Sequence, residues 1–204
     1  MGYHRAGFEV VGVDIKPQPH YPFEFHQGDA LTYPLDGFDV IHASPPCQYY
    51  SALAAMHPNR SYPDLIDDVR NRLKTSGSPY IIENVEGSPL SRASDLFGNH
   101  GVVLCGSMFE LGIKRGWLRR HRLFETSFAI CQPPCRHPFK GRAVGVYGHG
   151  GRSTKHRMLY RDEAAEAMKI DWMNRDEMTQ AIPPVYTEWI GRRLMEYLRH
   201  KQPD

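Results

Sequence analysis

The sequence predicts an α/β fold built on a parallel β-sheet. Short, mostly apolar segments at Phe8–Asp14, Phe38–Ala43 and Ser78–Val85 each end at a polar or proline-rich turn, and a helical pattern of apolar residues at Ser61–Lys74 lies between the last two. Apolar runs of this length indicate strands buried on both faces, and an intervening helix indicates a parallel connection. Ligands of such sheets bind at the carboxyl ends of the strands, so the turns that follow the strands are the first candidates for a site.

Length and composition are those of a single domain with a core of its own. The chain has 204 residues and contains no run of 18 apolar residues that would predict a membrane span. Its first residues do not have the charged and then apolar pattern of a signal peptide. Four cysteines without regular spacing favour reduced thiols, and we therefore expect a cytoplasmic protein.

Positive charge is concentrated in one part of the chain. Between Lys114 and Arg161 there are 12 lysines and arginines and one acid, Glu125, which gives a net charge of +11. The remaining residues carry 13 bases and 22 acids, a net charge of −9. A solvated surface usually mixes both signs, so this separation predicts a segment that binds a polyanion, with nucleic acid as the first candidate.

The turn after the second apolar segment has the features of a reactive loop. Two prolines, Pro45 and Pro46, stiffen the backbone immediately before Cys47. A cysteine held in this way beyond the end of a strand is a candidate nucleophile. The alternative is a buried structural cysteine, which is the commoner role for this residue type.

Four motifs together resemble those of the DNA cytosine-5 methyltransferases. The stretch 46–51, Pro-Cys-Gln-Tyr-Tyr-Ser, resembles the family's active-site loop, and Glu83-Asn84-Val85 resembles its second catalytic motif. The stretch 118–122 resembles Gln-x-Arg-x-Arg with Leu118 in place of the Gln, and 179–184 resembles Gly-Asn-Ala-Val-Pro-Pro with Gln180 in place of the Asn. The motifs follow the family's order, and the chain is identified as a small, phage-type member.

The resemblance implies a fold, a division of the chain and a reaction. It implies a Rossmann-like sheet of the S-adenosylmethionine-dependent methyltransferases, with a catalytic core at 1–126, a short basic and irregular target-recognition insert at 127–160, and C-terminal helices at 161–204. The reaction would be methyl transfer from S-adenosylmethionine to C5 of a cytosine flipped out of double-stranded DNA. We expect such an enzyme in a bacterial or phage-infected cell, in the setting of restriction and modification.

The same resemblance implies roles for individual residues. Cys47 would add to C6 of cytosine, Glu83 would bind the N3 and N4 edge, Arg122 would hold O2, and Arg120 would support the site. Cofactor-binding residues would be Asp14, Ile15, Asp29, Ala30, Pro45, Gln180 and Ile182. DNA-binding residues would be Gln48, Ser51, Arg136, Lys140 and Arg142.

A zinc site is a weaker possibility in the basic segment. Cys131, Cys135 and His137 have side chains that bind zinc, but their spacing is unusual and no fourth ligand is evident, so we expect no metal. Cys105 is interpreted as a structural cysteine. The glycine-rich stretch 145–151 is interpreted as a flexible loop.

One feature of the family is absent from the sequence. Its members begin with a strand and a Phe-x-Gly-x-Gly loop that wraps the methionine end of S-adenosylmethionine, and neither is present. The family's strand order, 3-2-1-4-5-7-6, would place that strand between those ending at Asp14 and Ala43. We therefore expect an N-terminal truncation, with poor cofactor binding and association through exposed strand edges. The alternatives to a DNA methyltransferase are an enzyme acting on free cytidine nucleotide and an inactive DNA-binding remnant.

Overall fold

The computed structural model describes residues 1–50, 62–91, 100–137, 141–147 and 157–201, with the backbone alone at 157 and 158. Ser51, Lys140, the first residue of the predicted helix at Ser61–Lys74 and most of the predicted loop at 145–151 lie outside the described residues.

The described strands and helices follow the predicted order. The helices are α1 (Gly2–Arg5), α2 (Ile66–Ser76), α3 (Arg161–Met168), α4 (Arg175–Gln180) and α5 (Pro184–Lys201), with a 3₁₀ turn at Gly106–Phe109. The first five strands are β1 (Val11–Asp14), β2 (Glu24–Gln27), β3 (Ile41–Ala43), β4 (Tyr80–Asn84) and β5 (His100–Leu104). The remaining strands are β6 (Gly112–Ile113), β7 (Gly116–Leu118), β8 (Arg122–Thr126), β9 (Arg142–Gly145) and β10 (Arg157–Met158).

A four-stranded sheet in the order β3-β4-β8-β5 carries the motif residues. Strands β3 and β4 are parallel with Ala43 opposite Ile82, and β8 runs antiparallel to both β4 and β5. All five residues of β4 are buried, as an apolar run covered on both faces should be. The carboxyl ends of β3 and β4 therefore lie side by side at one edge of the sheet.

Strands β1 and β2 form a separate parallel pair, with Asp14 opposite Gln27. Within the described residues β1 pairs with β2 alone and β3 pairs with β4 alone. The expectation that a further strand belongs between β1 and β3 stays a prediction.

A second four-stranded sheet, in the order β10-β9-β7-β6, crosses the predicted boundary at residue 126. Strand β9 of the segment 127–160 pairs in parallel with β7, with Trp117 opposite Ala143. Val144 and Val146 are buried. Residues 127–137 contain no strand or helix, whereas apolar side chains at alternate positions anchor residues 142–146 to the residues that precede the segment. The irregular insert and its bounds stay a prediction.

The stretch 118–122, which resembles Gln-x-Arg-x-Arg, divides between the two sheets. Leu118 ends β7, whereas Arg122 begins β8, and the three residues between them pass from one sheet to the other. Helix α4 begins at Arg175 and is capped by Asn174, whose side chain accepts hydrogen bonds from the amides of Asp176 and Glu177.

Helix α5 closes the fold against the main core. Tyr186, Ile190 and Leu194 are fully buried in the cluster that contains Ile81 and Phe124. Helix α1 lies on α5 at Gly2, where an added Cβ would collide with the carbonyl oxygen of Pro184. None of the described helices is both long and apolar enough to cross a lipid bilayer.

Candidate functional site

The loop that carries Cys47 is attached to the end of β4. The side-chain amide of Asn84 donates a hydrogen bond of 3.0 Å to the carbonyl oxygen of Pro45, and this contact is buried. The oxygen of the same amide accepts from the backbone amide of Val85 at 2.9 Å. Asn84 therefore uses both ends of its side chain to fix the Cys47 loop against the Glu83 strand.

Glu83 and Arg122 form a buried ion pair beside that loop. Their strands are adjacent, and Arg122 Nε lies 3.0 Å from Glu83 Oε1. Glu83 is 7% exposed. Burial raises the pKa of Glu83 above its ordinary value, and Arg122 and a hydrogen bond from Ser44 offset part of that rise. The carboxyl group is therefore able to hold a proton closer to neutral pH than an exposed glutamate.

Arg120 is buried and bound to backbone rather than to an acid. It is 1% exposed, and its guanidinium donates hydrogen bonds to the carbonyl oxygens of Val146, Thr179 and Ala181. Burial and the neighbouring Arg122 lower the pKa of Arg120 to about 9, which leaves it charged at neutral pH.

Cys47 is half-buried, and the positive charges of Arg120 and Arg122 both act on its thiol. Burial raises the pKa of its thiol, Arg122 lowers it, and Glu83 raises it again. The net shift is upward, so the thiol of the free protein is protonated at neutral pH. In a reaction that needs the thiolate, the positive charge of Arg122 would have to stabilise it.

A chain of hydrogen bonds that was not predicted from the sequence leads from α1 to Glu83. Tyr3 Oη lies 2.7 Å from His42 Nδ1, and His42 Nε2 lies 3.0 Å from Ser44 Oγ, which in turn reaches Glu83. Burial lowers the pKa of His42 to about 4, so the imidazole is neutral. A histidine inside an apolar strand was the signal that could have indicated this chain.

The four predicted cofactor residues at β1 and β2 lie at neighbouring strand ends. Asp14 ends β1, and its two carboxylate oxygens accept from the amide of Lys16 at 2.8 Å and from Gln18 Nε2 at 3.1 Å. Ile15 follows and is 67% exposed, an unusual state for a large apolar side chain. Asp29 and Ala30 are exposed on the loop after β2, where Asp29 Oδ1 accepts from the amide of Leu31.

The other predicted cofactor residues lie on separate segments. Pro45 is buried in the Cys47 loop, Gln180 is exposed at the end of α4, and Ile182 packs against the main core. A contact of 2.8 Å between His20 Nδ1 and Glu177 Oε1 joins the β1–β2 loop to α4. The loop after β1 and the segment that contains Gln180 are therefore connected.

The predicted DNA-binding residues that the structure describes are all at the surface. Gln48, Arg136 and Arg142 are exposed, whereas Ser51 and Lys140 lie outside the described residues. The twelve bases between 114 and 161 do not form one surface group, because Arg120 and Arg122 are internal. The bases with exposed described side chains are Lys114, Arg115, Arg119, Arg136, Arg142 and Arg161.

The cysteines of the basic segment have different surroundings. Cys135 and His137 lie close to Cys105 and His121, and their ligand atoms are all within 4.8 Å of one another. Cys131 is exposed and does not belong to this group. Cys105 is buried, as expected of a structural cysteine, but three other metal-binding side chains surround it.

The comparison with solved structures supports the fold class. The crystal structure of S. pombe Dnmt2 methyltransferase superposes with a TM-score of 0.55 and 13% sequence identity, over 97% of this chain and 96% of that one. At this identity the likeness shows the fold alone, so the chain has an α/β, methyltransferase-like fold. No protein-family model and no curated protein sequence matches this one.

Proposed function

We propose that the protein is a cytosine-5 methyltransferase that uses S-adenosylmethionine and acts on double-stranded DNA through a covalent intermediate at Cys47. The observation that carries the proposal is the contact between the two motif loops. Asn84 holds the Cys47 loop at Pro45, and the neighbouring Glu83 is paired with Arg122 at 3.0 Å. A nucleophile, an acid and a cation thus meet at one edge of a sheet, within a methyltransferase-like fold.

Cys47 would act first. Its thiol loses a proton to water, with Arg122 stabilising the thiolate, and the sulfur forms a bond to C6 of the cytosine. The electron pair of the C5–C6 double bond moves into the ring, and N3 takes a proton from Glu83. The raised pKa of Glu83 suits this step, because the carboxyl group must be protonated to donate.

Glu83 and Arg122 would then return the ring to its aromatic state. After C5 has gained a methyl group, a base removes the C5 proton and the sulfur leaves C6 as thiolate. The N3 proton goes back to Glu83, which restores the protonated carboxyl group from which it came. Arg120 would not touch the base, since its guanidinium is used by three backbone carbonyls. It is a positioning residue for Arg122.

The residues present fit the adenosine part of S-adenosylmethionine. When bound, this cofactor supplies the electrophilic methyl group. Asp14 and Asp29 offer carboxylate oxygens at adjacent strand ends, where ribose hydroxyls and the adenine amino group could donate to them. The exposed side chain of Ile15 offers an apolar surface for the adenine ring. No described residue is assigned to the methionine part.

Double-stranded DNA is proposed as the substrate because of the exposed bases in the segment 114–161. Arg136 and Arg142 lie in the segment that resembles a target-recognition region, and both are solvent-exposed. C5 and C6 of a stacked cytosine are out of reach of a cysteine, so the base must leave the helix at a cost of a few kcal/mol. Phosphate contacts would offset this cost.

The test is a comparison of methyl acceptors with tritium-labelled S-adenosylmethionine. Duplex DNA, RNA and free cytidine nucleotide are offered to the wild type, to Cys47→Ser and to Cys131→Ser. Because poor cofactor binding is expected, the labelled cofactor is supplied at high concentration. We then expect label in DNA with the wild type and with Cys131→Ser, and none with Cys47→Ser. A duplex that contains 5-fluorocytosine should form a covalent complex only when Cys47 is present, because fluorine cannot be removed from C5 as a proton.

The other outcomes each reject a part of the proposal. Label in RNA or nucleotide but not in DNA would reject DNA as the substrate. Label with Cys47→Ser would reject the covalent mechanism. DNA binding without methyl transfer to any acceptor would favour the inactive DNA-binding remnant.

A further inference from the structure

Four metal-binding side chains that the proposed reaction does not use lie close together. Cys105 lies just after β5, His121 lies between β7 and β8, and Cys135 and His137 follow in the basic segment. The four ligand atoms lie within 4.8 Å of one another, although the residues come from three segments of the chain.

The distances within this group match the edges of a tetrahedron. Cys135 Sγ lies 3.4 Å from His121 Nε2 and 3.3 Å from His137 Nε2, and Cys105 Sγ lies 3.7 Å from His137 Nε2. With ordinary zinc–sulfur and zinc–nitrogen bond lengths, a tetrahedral ion would hold sulfur and nitrogen ligands about 3.6 Å apart. The arrangement is thus already near the geometry of a bound ion.

We propose that Cys105, His121, Cys135 and His137 form a structural zinc site. Two thiolates and two imidazoles are a donor set that selects zinc over harder cations such as magnesium and calcium. Four protein ligands leave no position open for water or substrate, so the ion would hold structure and take no part in the chemistry.

The groups around the four ligands are those that support a metal centre. His121 turns Nδ1 towards Glu86 Oε2 at 3.6 Å while Nε2 faces the cysteine, an arrangement that fixes the tautomer of a metal-bound histidine. Ser107 Oγ lies 3.5 Å from Cys105 Sγ and can donate to the thiolate. The ring of His137 stacks on the indole of Trp117 with centroids 4.6 Å apart, which limits its rotation.

The ion would attach the basic segment to the sheet that carries the motifs. Two ligands, Cys105 and His121, belong to the core, and the other two flank the exposed Arg136. His121 also stands directly between Arg120 and Arg122. Zinc would therefore fix the position of Arg136 relative to the arginine pair, with three protein segments joined at one point.

The first test is the zinc content of the purified full-length chain. Protein produced with added zinc and then desalted is measured by elemental analysis, for the wild type and for Cys105→Ser, Cys135→Ser, His137→Gln and Cys131→Ser. We expect one zinc per wild-type chain and per Cys131→Ser chain, and a loss of most of the zinc in the other three. Cys131→Ser is the matched control, because Cys131 is an exposed cysteine of the same segment outside the group.

X-ray absorption at the zinc edge keeps the proposal testable if those variants fail to fold. In the wild type we expect two sulfur ligands at about 2.3 Å and two nitrogen ligands at about 2.0–2.1 Å. Cys131→Ser should give the same spectrum. Zinc-free wild-type protein, zinc with another ligand set, or full zinc in Cys135→Ser would overturn the proposal. So would a mass lower by two hydrogens that reveals a Cys105–Cys135 disulfide in freshly purified protein.

Discussion

Glu83 is buried, and among the described residues its carboxylate forms one ion pair, with the Arg122 guanidinium. Glu83→Gln keeps the size of the side chain but removes both the negative charge and the transferable proton. We expect single-turnover methyl transfer to slow by about 10²–10⁴-fold, the usual contribution of a general acid. The control is Glu166→Gln on the exposed face of α3, which should react at the wild-type rate. A wild-type rate in Glu83→Gln would exclude the proposed proton transfer.

His42 makes the stability of the protein depend on pH. Its folded-state pKa of about 4 lies below the ordinary value of 6.5, so the unfolded chain binds a proton in this range and the folded protein does not. The contribution of neutral His42 is fully present above pH 6.5 and is lost as the pH falls towards 4. From pH 6.5 to 5.5 the loss should be on the order of 1 kcal/mol in the free energy of unfolding.

Urea unfolding of the wild type and of His42→Gln at pH 5.5, 6.5 and 7.5 measures this contribution. The two proteins should differ in slope between pH 6.5 and 5.5 and run parallel above pH 7. Equal slopes throughout would mean that His42 does not titrate below its ordinary value.

At the scale of elements, a buried ion pair connects helix α2 to the sheet β3-β4-β8-β5. Glu125 of β8 is 0% exposed and accepts from Arg70 Nε at 2.7 Å and Nη2 at 3.1 Å, and also from the amide of Ser91. Arg70→Ala would leave a buried carboxylate with its charge unbalanced, so we expect a loss of about 3–5 kcal/mol in the free energy of unfolding. Denaturant melts measure it, with the exposed Lys74→Ala on the same helix as the control. A loss below 1 kcal/mol in Arg70→Ala would contradict the role of this pair.

The elements that could be predicted from the sequence are those with a strong local pattern. Strands β3 and β4 and helix α5 follow from their apolar periodicity, and the two motif loops were placed at strand ends by that pattern. The sheet β10-β9-β7-β6 could not be predicted, because its strands are two to four residues long and carry too little pattern. Its parallel pairing of β7 with β9 depends on contacts between distant parts of the chain.

The site residues also divide into those that a local sequence pattern could predict and those that depend on contacts between distant parts of the chain. The neighbourhood of Cys47 and Glu83 could be predicted because both residues lie close to the carboxyl end of a recognisable strand. The group formed by Cys105, His121, Cys135 and His137 could not be predicted from the sequence, because its members are brought together only by tertiary folding. Cys131, the nearest cysteine in sequence to Cys135 and His137, lies outside this group.

At the scale of the whole molecule, the exposed bases of the segment 114–161 should set the affinity for DNA. Changing Arg136, Lys140 and Arg142 together to Gln should weaken binding to every duplex and flatten its salt dependence. The slope of log affinity against log salt should fall by up to about 0.9 for each phosphate that the variant no longer neutralises. Fluorescence anisotropy over a range of salt concentrations measures both quantities.

The matched control changes three exposed lysines outside that segment, Lys74, Lys169 and Lys201, to Gln. It removes the same charge from the molecule and should leave most of the slope intact. If the two triple variants bind alike, net charge rather than the basic segment governs binding.

The hydrogen bonds of Arg120 also determine when this part of the fold can form during synthesis. The carbonyl groups that hold its guanidinium belong to Val146, Thr179 and Ala181, and its own carbonyl accepts from Tyr186 Oη at 2.7 Å. Contacts over such sequence distances form late, because the intervening chain must first be ordered. When Cys47, Glu83 and Arg122 have already emerged from the ribosome, the nascent chain still lacks the residues that form hydrogen bonds with Arg120. Cys47 is thus translated early, and Arg120 obtains all of its hydrogen-bond partners only when the start of the last helix has been translated.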